Sequence, residues 1–516
     1  MKHFILFCGL MLSAHLFSQN LSASVDWGSK KVEFPLTNVA MAGTSKGNPF
    51  VYGEPYGLMS YVNGKPKNYI KIVQYDKELN VVSQGRASLR HRGRGRSFEQ
   101  LFMLQNQLLF FTSYFNEEKQ KNYLMVERLD HDRFKPLTQP KVLLSISEEK
   151  RNNRGRFNTL ISPDSSKFLA FTSHQEPADS SEYIKFILLD SRCQELWRKS
   201  VIFPYTEKAL DIKCTILNNE GDVFLYGRLT LTDEEVKARE AQGIPTPYRT
   251  VRKLFAYRKN GTEVREYELP PWSKGRISQI KFRFKKNGDI LCAGFYEYDG
   301  LLKGSFHFTL DPGSGQQTDL EITPFGQSFL DELKSGKNSI ASFLLKHMYL
   351  DYFQIMKDGS ILLVGEEYFQ REHSYTYYFD DADGHTDWKT ITELYHYYLD
   401  VLVVKYRPDG QLDWYQRVPK IQRDTNPKFG SYRLLIDDDE VRVVFNGQLV
   451  KKGNSRKAVS EIALVNRGGS VYSKELPAEE QQGFYFLPSL SFRYKDDQLV
   501  FMTRKRHLYR MGKLRF

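Results

Sequence analysis

Apolar and polar positions alternate in short runs along most of this chain, and the runs fall into a phrase that repeats. Residues 282–294 read FRFKKNGDILCAG, residues 353–365 read FQIMKDGSILLVG, and residues 217–227 read LNNEGDVFLYG. Each phrase predicts a strand, a tight turn rich in Asn, Asp and Gly, and a second strand ending on glycine. The closing glycines, Gly227, Gly294 and Gly365, stand 67 and 71 residues apart. A second marker follows each phrase. Residues 401–419 (VLVVKYRPDGQLDWYQRVP), 251–270, 461–477, 69–82 and 185–201 each read as a β-rich run, a turn and a final strand. Three of these close on an apolar residue and proline, at Leu269-Pro270, Val418-Pro419 and Leu476-Pro477. Proline suits the end of an outer edge strand, where it removes no ladder hydrogen bond. Two stretches leave the period of two. Thr232 to Gln242 carries a capping box, Thr232 with Glu235, and is closed by Gly243. Ser328 to Lys334 begins a second helix.

The markers divide the chain into units at 36–88, 97–146, 156–205, 210–272, 277–325, 349–421, 430–479 and 484–516. Repetition at this scale predicts an array of β-sheets, and the expectation is an all-β fold, a β-propeller of eight blades with seven as the rival count. The last unit is one strand short. Residues 20–35, with Val25-Asp26-Trp27 and Val32-Glu33-Phe34, are the candidates to supply it, so that both termini close the ring. One domain, 20–516, is expected, with insertions at 228–250, 326–348 and 366–400. The stretch from Ser162 to Ser173, SPDSSKFLAFTS, resembles the blade phrase of TolB-type propeller repeats. Tyr406 to Trp414 is similar to the exit motif of bacterial propellers, including PQQ-like repeats. The resemblance covers one blade well and the others loosely. It implies propeller architecture and no particular activity.

Met1 to Ser18 reads as a secretory signal peptide: a short basic start, then an apolar run too short to span a bilayer. No later stretch has the ~20 apolar residues of a membrane helix. The chain is therefore expected to be exported, periplasmic or at the cell surface. Cys193, Cys214 and Cys292 match no metal spacing, and free thiols are expected ahead of a Cys193–Cys214 bridge. The formal charge of +12 becomes +11 once Lys2 is removed. That excess points to an acidic partner: an acidic protein, an anionic glycan, or the anionic surface of an outer membrane. Nucleic acid is set aside on compartment.

A basic phrase recurs just before innermost strands: RGRGRSF at 92–98, NRGRF at 153–157 and SKGRI at 273–277. It nominates Arg94, Arg96, Arg154, Arg156, Lys274 and Arg276 as a partial cationic ring, because the guanidinium fork binds two oxygens of a carboxylate, sulfate or phosphate. Arg86, Arg90 and Arg92 add charge with no acid nearby in sequence. The other reading is an arginine that satisfies groups of its own fold. The insertion 366–400 is dense in aromatics, and nominates Tyr375, Tyr377 and Trp388 for sugar or protein binding. Its alternative is a two-stranded extension with tyrosines packed on one another. Within it Asp381, Asp383 and Asp387 resemble part of a calcium loop, though Phe379 stands where the first ligand belongs; a solvated acidic turn is the other reading. No other cofactor is indicated. Gly43-Thr44-Ser45-Lys46-Gly47 matches a hydrolase elbow in letters only, since no helix follows. Two functional readings result. The first is a binding or scaffold module of the bacterial envelope with a basic loop face. The alternative is a lyase or glycosidase acting on an anionic polysaccharide, with a Tyr or His pair transferring protons.

Overall fold

The computed structural model describes residues 23–29, 31–33, 37–55, 61–62, 65–66, 68–147, 156–173, 181–206, 208–244, 249–269, 275–335, 345–380, 386–437, 440–447, 450–452, 455–457, 459–466, 468–476, 485–495, 497–505 and 508–516. The expected signal peptide lies outside them. They form two compact units, one of residues 34–299 and 303–324, the other of residues 325–516 with 300–302 and the segment up to Glu33.

The first unit holds five four-stranded antiparallel sheets, each a meander in chain order. By chain order, sheets 1 to 5 span 37–88, 97–147, 156–206, 210–268 and 276–324. Consecutive sheets share apolar cores. Sheets 1 and 2 meet through Phe50, Ile70, Leu101 and Phe110. Sheets 2 and 3 meet through Phe102, Phe111 and Phe168, whose rings stand 4.8–5.9 Å apart. Leu188, Phe186, Leu225 and Phe255 join sheets 3 and 4, and Phe224, Phe282 and Phe306 join sheets 4 and 5.

The second unit holds sheet 6 (348–418), sheet 7 (432–475) and sheet 8 (485–515), again packed in sequence. Sheet 8 has three strands of its own, and its fourth is Ser24–Trp27, antiparallel to Leu508–Arg515 in the register Ser24↔Arg515 to Trp27↔Gly512. Trp27 packs edge-on against Phe501 at 5.6 Å.

Two local devices explain the repeated phrase. The first strands of sheets 2, 4, 5 and 6 carry β-bulges at 98/100, 212/214, 277/279 and 350/352. The repeated glycines lie opposite, at Ile212↔Gly227, Ile280↔Gly294 and Leu350↔Gly365. At Gly294 a Cβ would stand 1.9 Å from the Gln279 carbonyl oxygen, so the bulge and the missing side chain require each other. The other device is an aromatic knob on the exit strand. Trp197 of sheet 3 donates its indole N–H to the Gly221 carbonyl at 3.2 Å and lies on Gly261, both in turns of sheet 4. Tyr267 of sheet 4 donates to the carbonyls of Pro312 and Gly313 and covers Gly315 in sheet 5. Trp414 of sheet 6 covers Gly469 in sheet 7. Each outer strand is thereby keyed to the next sheet.

Both expected helices form. Asp233–Ala241 starts on the Thr232/Glu235 capping box, with reciprocal bonds of 2.8 and 3.3 Å. Gln327–Lys334 buries Phe329, Leu330 and Leu333. Cys193, Cys214 and Cys292 are free thiols. This all-β arrangement of four-stranded antiparallel sheets is consistent with a propeller.

Candidate functional site

The connection from sheet 1 to sheet 2 is a small arginine hairpin. Arg90–His91 pairs with Arg94–Gly95, and the two-residue turn between them places Arg92 and Gly93 at φ 49° and 79°. That left-handed turn is what Arg-Gly supplies in the sequence. The Arg96 N–H closes the hairpin on the Leu89 carbonyl at 2.7 Å.

The arginines have different fates. Arg96 is buried; its guanidinium pairs with Glu127 at 2.8 Å and donates to Thr112 Oγ1 and the Ser88 carbonyl, each at 3.2 Å. Its charge is spent inside sheet 2, so of the two readings of the basic phrase, Arg96 takes the internal one. Arg276 lies directly opposite Glu297 and forms an ion pair with its carboxylate, from Nε and Nη2 each at 2.7 Å, so its charge is countered within sheet 5. Arg94 is exposed; it donates to the Tyr114 hydroxyl at 2.7 Å, with its guanidinium 5.6 Å from that ring's centre. Arg90 reaches the Asn68 carboxamide oxygen, turned toward it, at 3.0 and 3.1 Å. Arg86 lies 4.4 Å above the Tyr69 ring. Neutral groups thus hold Arg86, Arg90 and Arg94 in place, and among the described residues no carboxylate forms an ion pair with any of them. Arg154 and Lys274 lie outside the described residues, as does the side chain of Arg156.

Arg94 and Arg96 stand in the wall of a cleft of about 530 Å³. Apart from Gly95, the rest of its lining is polar or aromatic: Ser97, Ser113, Tyr114, Phe115, Asn116, Asn122, Glu117 and Glu118. Asn116 Oδ1 accepts the Glu118 and Lys119 N–H groups at 3.0 and 3.1 Å, which fixes the rim. One fixed cation, an aromatic edge, carboxamides and carboxylates together offer donors and acceptors for hydroxyls and one seat for an anion.

The aromatic insertion takes its second reading. Ile361–Asp380 and Thr386–Tyr406 pair along their whole length, and beyond the reach of the neighbouring strands they continue as a two-stranded ribbon. Tyr375 donates to Glu393 and shares a 2.7 Å hydrogen bond with Tyr395; the carboxylate beside it holds its phenol above the usual range. Tyr377, Tyr378 and Trp388 are exposed. Asp381 and Asp383 lie outside the described residues, as does the Asp387 side chain, so the calcium expectation is untouched; among the described residues no cluster of three metal-ligating side chains forms.

Two polar groupings in the second unit were not singled out from sequence. Gln370 Nε2 donates to the Tyr368 hydroxyl at 2.7 Å, which leaves that hydroxyl's own proton to His396 Nδ1 at 2.8 Å. Burial lowers the pKa of His396, against the pull of Asp424, and favours the neutral ring that accepts. Deeper, Lys420 Nζ pairs with Glu366 and donates to Gln422 Oε1 at 2.8 Å. The Lys420 N–H and Arg417 Nε both donate to buried Asp400, at 3.0 and 2.6 Å. Burial pushes the Glu366 carboxyl up and the Lys420 ammonium down, each opposed by the other's charge. The sequence signal was faint: a Glu-Glu pair after Gly365, and a lysine after Val418-Pro419.

No family model matches the chain, and no curated protein matches it. Among solved structures it is similar to the WD40 domain of SCAP from fission yeast (8% identity, 96% of this chain and 94% of that one, TM-score 0.39). It is also similar to a polysaccharide lyase (10% identity, 89% and 94%, TM-score 0.33). An apocarotenoid oxygenase of Synechocystis is a further likeness (10% identity, 89% and 94%, TM-score 0.36). Likenesses this distant carry no function across.

Proposed function

We propose that this chain is an exported, eight-bladed β-propeller of the bacterial envelope that binds an anionic glycan at the arginine hairpin and its cleft. Eight four-stranded meanders in chain order, the last completed by Ser24–Trp27, support the architecture. The observation that carries the binding reading is Arg94: an exposed guanidinium oriented by Tyr114 at the wall of a polar cleft, with Arg90 and Arg86 likewise oriented by neutral partners. A preorganised cation without a carboxylate partner keeps its charge for a ligand and spends little entropy on binding. The polar lining suits sugar hydroxyls better than the apolar core of a protein interface. Calorimetry against a uronate-rich and a sulfated polysaccharide, with Arg94→Ala and Tyr114→Phe beside the wild type, tests this. Heat of binding that is unchanged in Arg94→Ala removes the site. Binding of an acidic protein alone, with no response to either glycan, replaces the ligand class.

A second reading, an enzyme acting on an anionic polysaccharide, is favoured by the Tyr368–His396 pair, a phenol hydrogen-bonded to a neutral imidazole. Release of unsaturated or reducing ends from a uronate polymer, lost in Tyr368→Phe, would establish it; no release leaves a binding protein.

A further inference from the structure

Three side-chain oxygens converge on one face of the aromatic ribbon. Tyr375 stands on one strand, and Glu393 and Tyr395 stand two residues apart on the other, so all three share a face. Tyr375 and Tyr395 both donate to Glu393 Oε2, the second at 2.8 Å, and the two phenol oxygens lie 2.7 Å from each other. A phenol carries one proton, and an ionised carboxylate only accepts. The triangle therefore has three contacts and two protons, and one pair of oxygens always meets with no hydrogen between them. His373, opposite Glu393, lies on the same face. Its Nε2 stands 2.8 Å from the Tyr397 hydroxyl, and its ring is edge-on to Tyr395 at 5.0 Å. Burial, with Arg423 and Arg371 beside it, lowers the pKa of His373 and favours the neutral ring.

The triangle has the dimensions of a ligand set. A small, hard cation held by oxygens at about 2.0–2.1 Å in an octahedron keeps neighbouring oxygens about 2.8–3.0 Å apart. A cation seated over the three oxygens can thus replace both phenolic protons with little movement of the side chains. The charge count selects its class. Two phenolates and one carboxylate carry three negative charges, which a trivalent cation neutralises. Phenols ionise near pH 10 in water, and the hydrogen bonds from Tyr375 to Glu393 and Tyr395 hold its proton more tightly still. A bound ion can ionise its own ligands, but displacing two phenolic protons at neutral pH asks for a stronger field than calcium or magnesium supplies. The usual ligands, His, Cys, Asp and Glu, form no cluster of three among the described residues; here phenols complete the set.

We propose that Tyr375, Tyr395 and Glu393 form a binding site for ferric iron. The two phenolic protons leave to solvent as iron arrives, and the three oxygens take one triangular face of its octahedron. The opposite three positions are left for water or a small anion. Arg423 is placed to hold that anion. It is exposed, and its guanidinium lies 4.1 Å from the Tyr395 ring centre and 5.5 Å from that of Tyr397. Among the described residues no carboxylate forms an ion pair with it. This inference is independent of the glycan reading.

Titration of the full chain with ferric nitrilotriacetate, which keeps the iron soluble, tests it. The wild type is expected to take up iron and develop the visible charge-transfer absorption of a phenolate-bound ferric ion. Tyr375→Phe with Tyr395→Phe keeps both rings and removes both phenol oxygens; the band should vanish, and the affinity should fall at least about hundredfold. Glu393→Gln, which leaves both phenols and removes one negative charge, serves as the second disrupting variant and should weaken binding at least about tenfold. Tyr378→Phe alters an exposed tyrosine on the other face of the ribbon and should leave band and affinity unchanged. A wild type that develops no visible band in excess probe overturns the proposal. So does a band that the double variant retains, because the iron then sits on other tyrosines.

Discussion

Replacing Lys420 by methionine would remove the counter-charge of Glu366 while keeping most of the side chain's volume. The pair is shielded from water, with side-chain exposures of 0% and 4%. Glu366 would keep the Ser431 hydroxyl as a partner, which carries no charge. A carboxylate left alone in such a place costs about 3–5 kcal/mol. Removing both charges, as Lys420→Met with Glu366→Leu, should recover most of that loss, because an apolar pair avoids the desolvation that the ion pair must overcome. The deficit of the single variant should also depend on pH. Burial already holds the Glu366 carboxyl above its usual range, and losing Lys420 leaves burial unopposed. The native variant then binds a proton more tightly than its unfolded chain does, so its stability falls as pH rises from about 4.3 through the raised native pKa. Below about pH 4 both states are protonated, and the deficit narrows. With two compact units one global unfolding energy is poorly defined. Hydrogen exchange of the amides of residues 361–366 and 401–404, set beside the urea midpoint, reads the change where it arises. A loss under about 1 kcal/mol, or the same loss at about pH 4 and pH 8, would refute the account of a buried, charged pair.

Further expectations follow from the packing and the site. Trp197→Ala should cost about 3–5 kcal/mol, read as faster exchange in sheets 3 and 4, because a buried ring leaves the seam between them. Gly294→Ala should abolish soluble expression, since its Cβ meets the Gln279 carbonyl. Gly288→Ala, at φ 90° with open space around it, should cost only about 1 kcal/mol by thermal denaturation. Removing residues 23–33 unpairs Leu508–Arg515 and should raise aggregation measured by light scattering, as expected of a newly bared edge. The glycan affinity of the wild type should fall with added salt more steeply than that of Arg94→Ala, in a calorimetric titration at two ionic strengths.

The strands were legible because period-two alternation and Asn-Gly or Asp-Gly turns are local signals, complete within ten residues. The missing strand of sheet 8 was legible for a different reason: 484–516 was one strand short, and residues 20–35, with Val25-Asp26-Trp27 and Val32-Glu33-Phe34, had the pattern to supply it; Ser24–Trp27 and Val32–Glu33 both pair with Leu508–Arg515. The fates of the arginines were not legible. Arg94 and Arg96 sit in one phrase, two residues apart, and alternation alone would send both side chains to one face; they part because Arg94 belongs to the small hairpin with Arg90–His91, whereas Arg96 stands at the junction with Ser97–Leu104. Arg96 lands where register brings Glu127, on the third strand of its sheet, within 2.8 Å; Arg94 lands beside Tyr114, which is neutral. Lys420 and Glu366 are 54 residues apart and meet for the same reason. Residue type named the cations, but the carboxylates that silence them are set by pairing across strands, which exists only once the sheet has formed. The ribbon shows the converse. Its tyrosines, threonines and lack of proline made an extended hairpin readable, because the two strands that pair in it lie close together in the sequence.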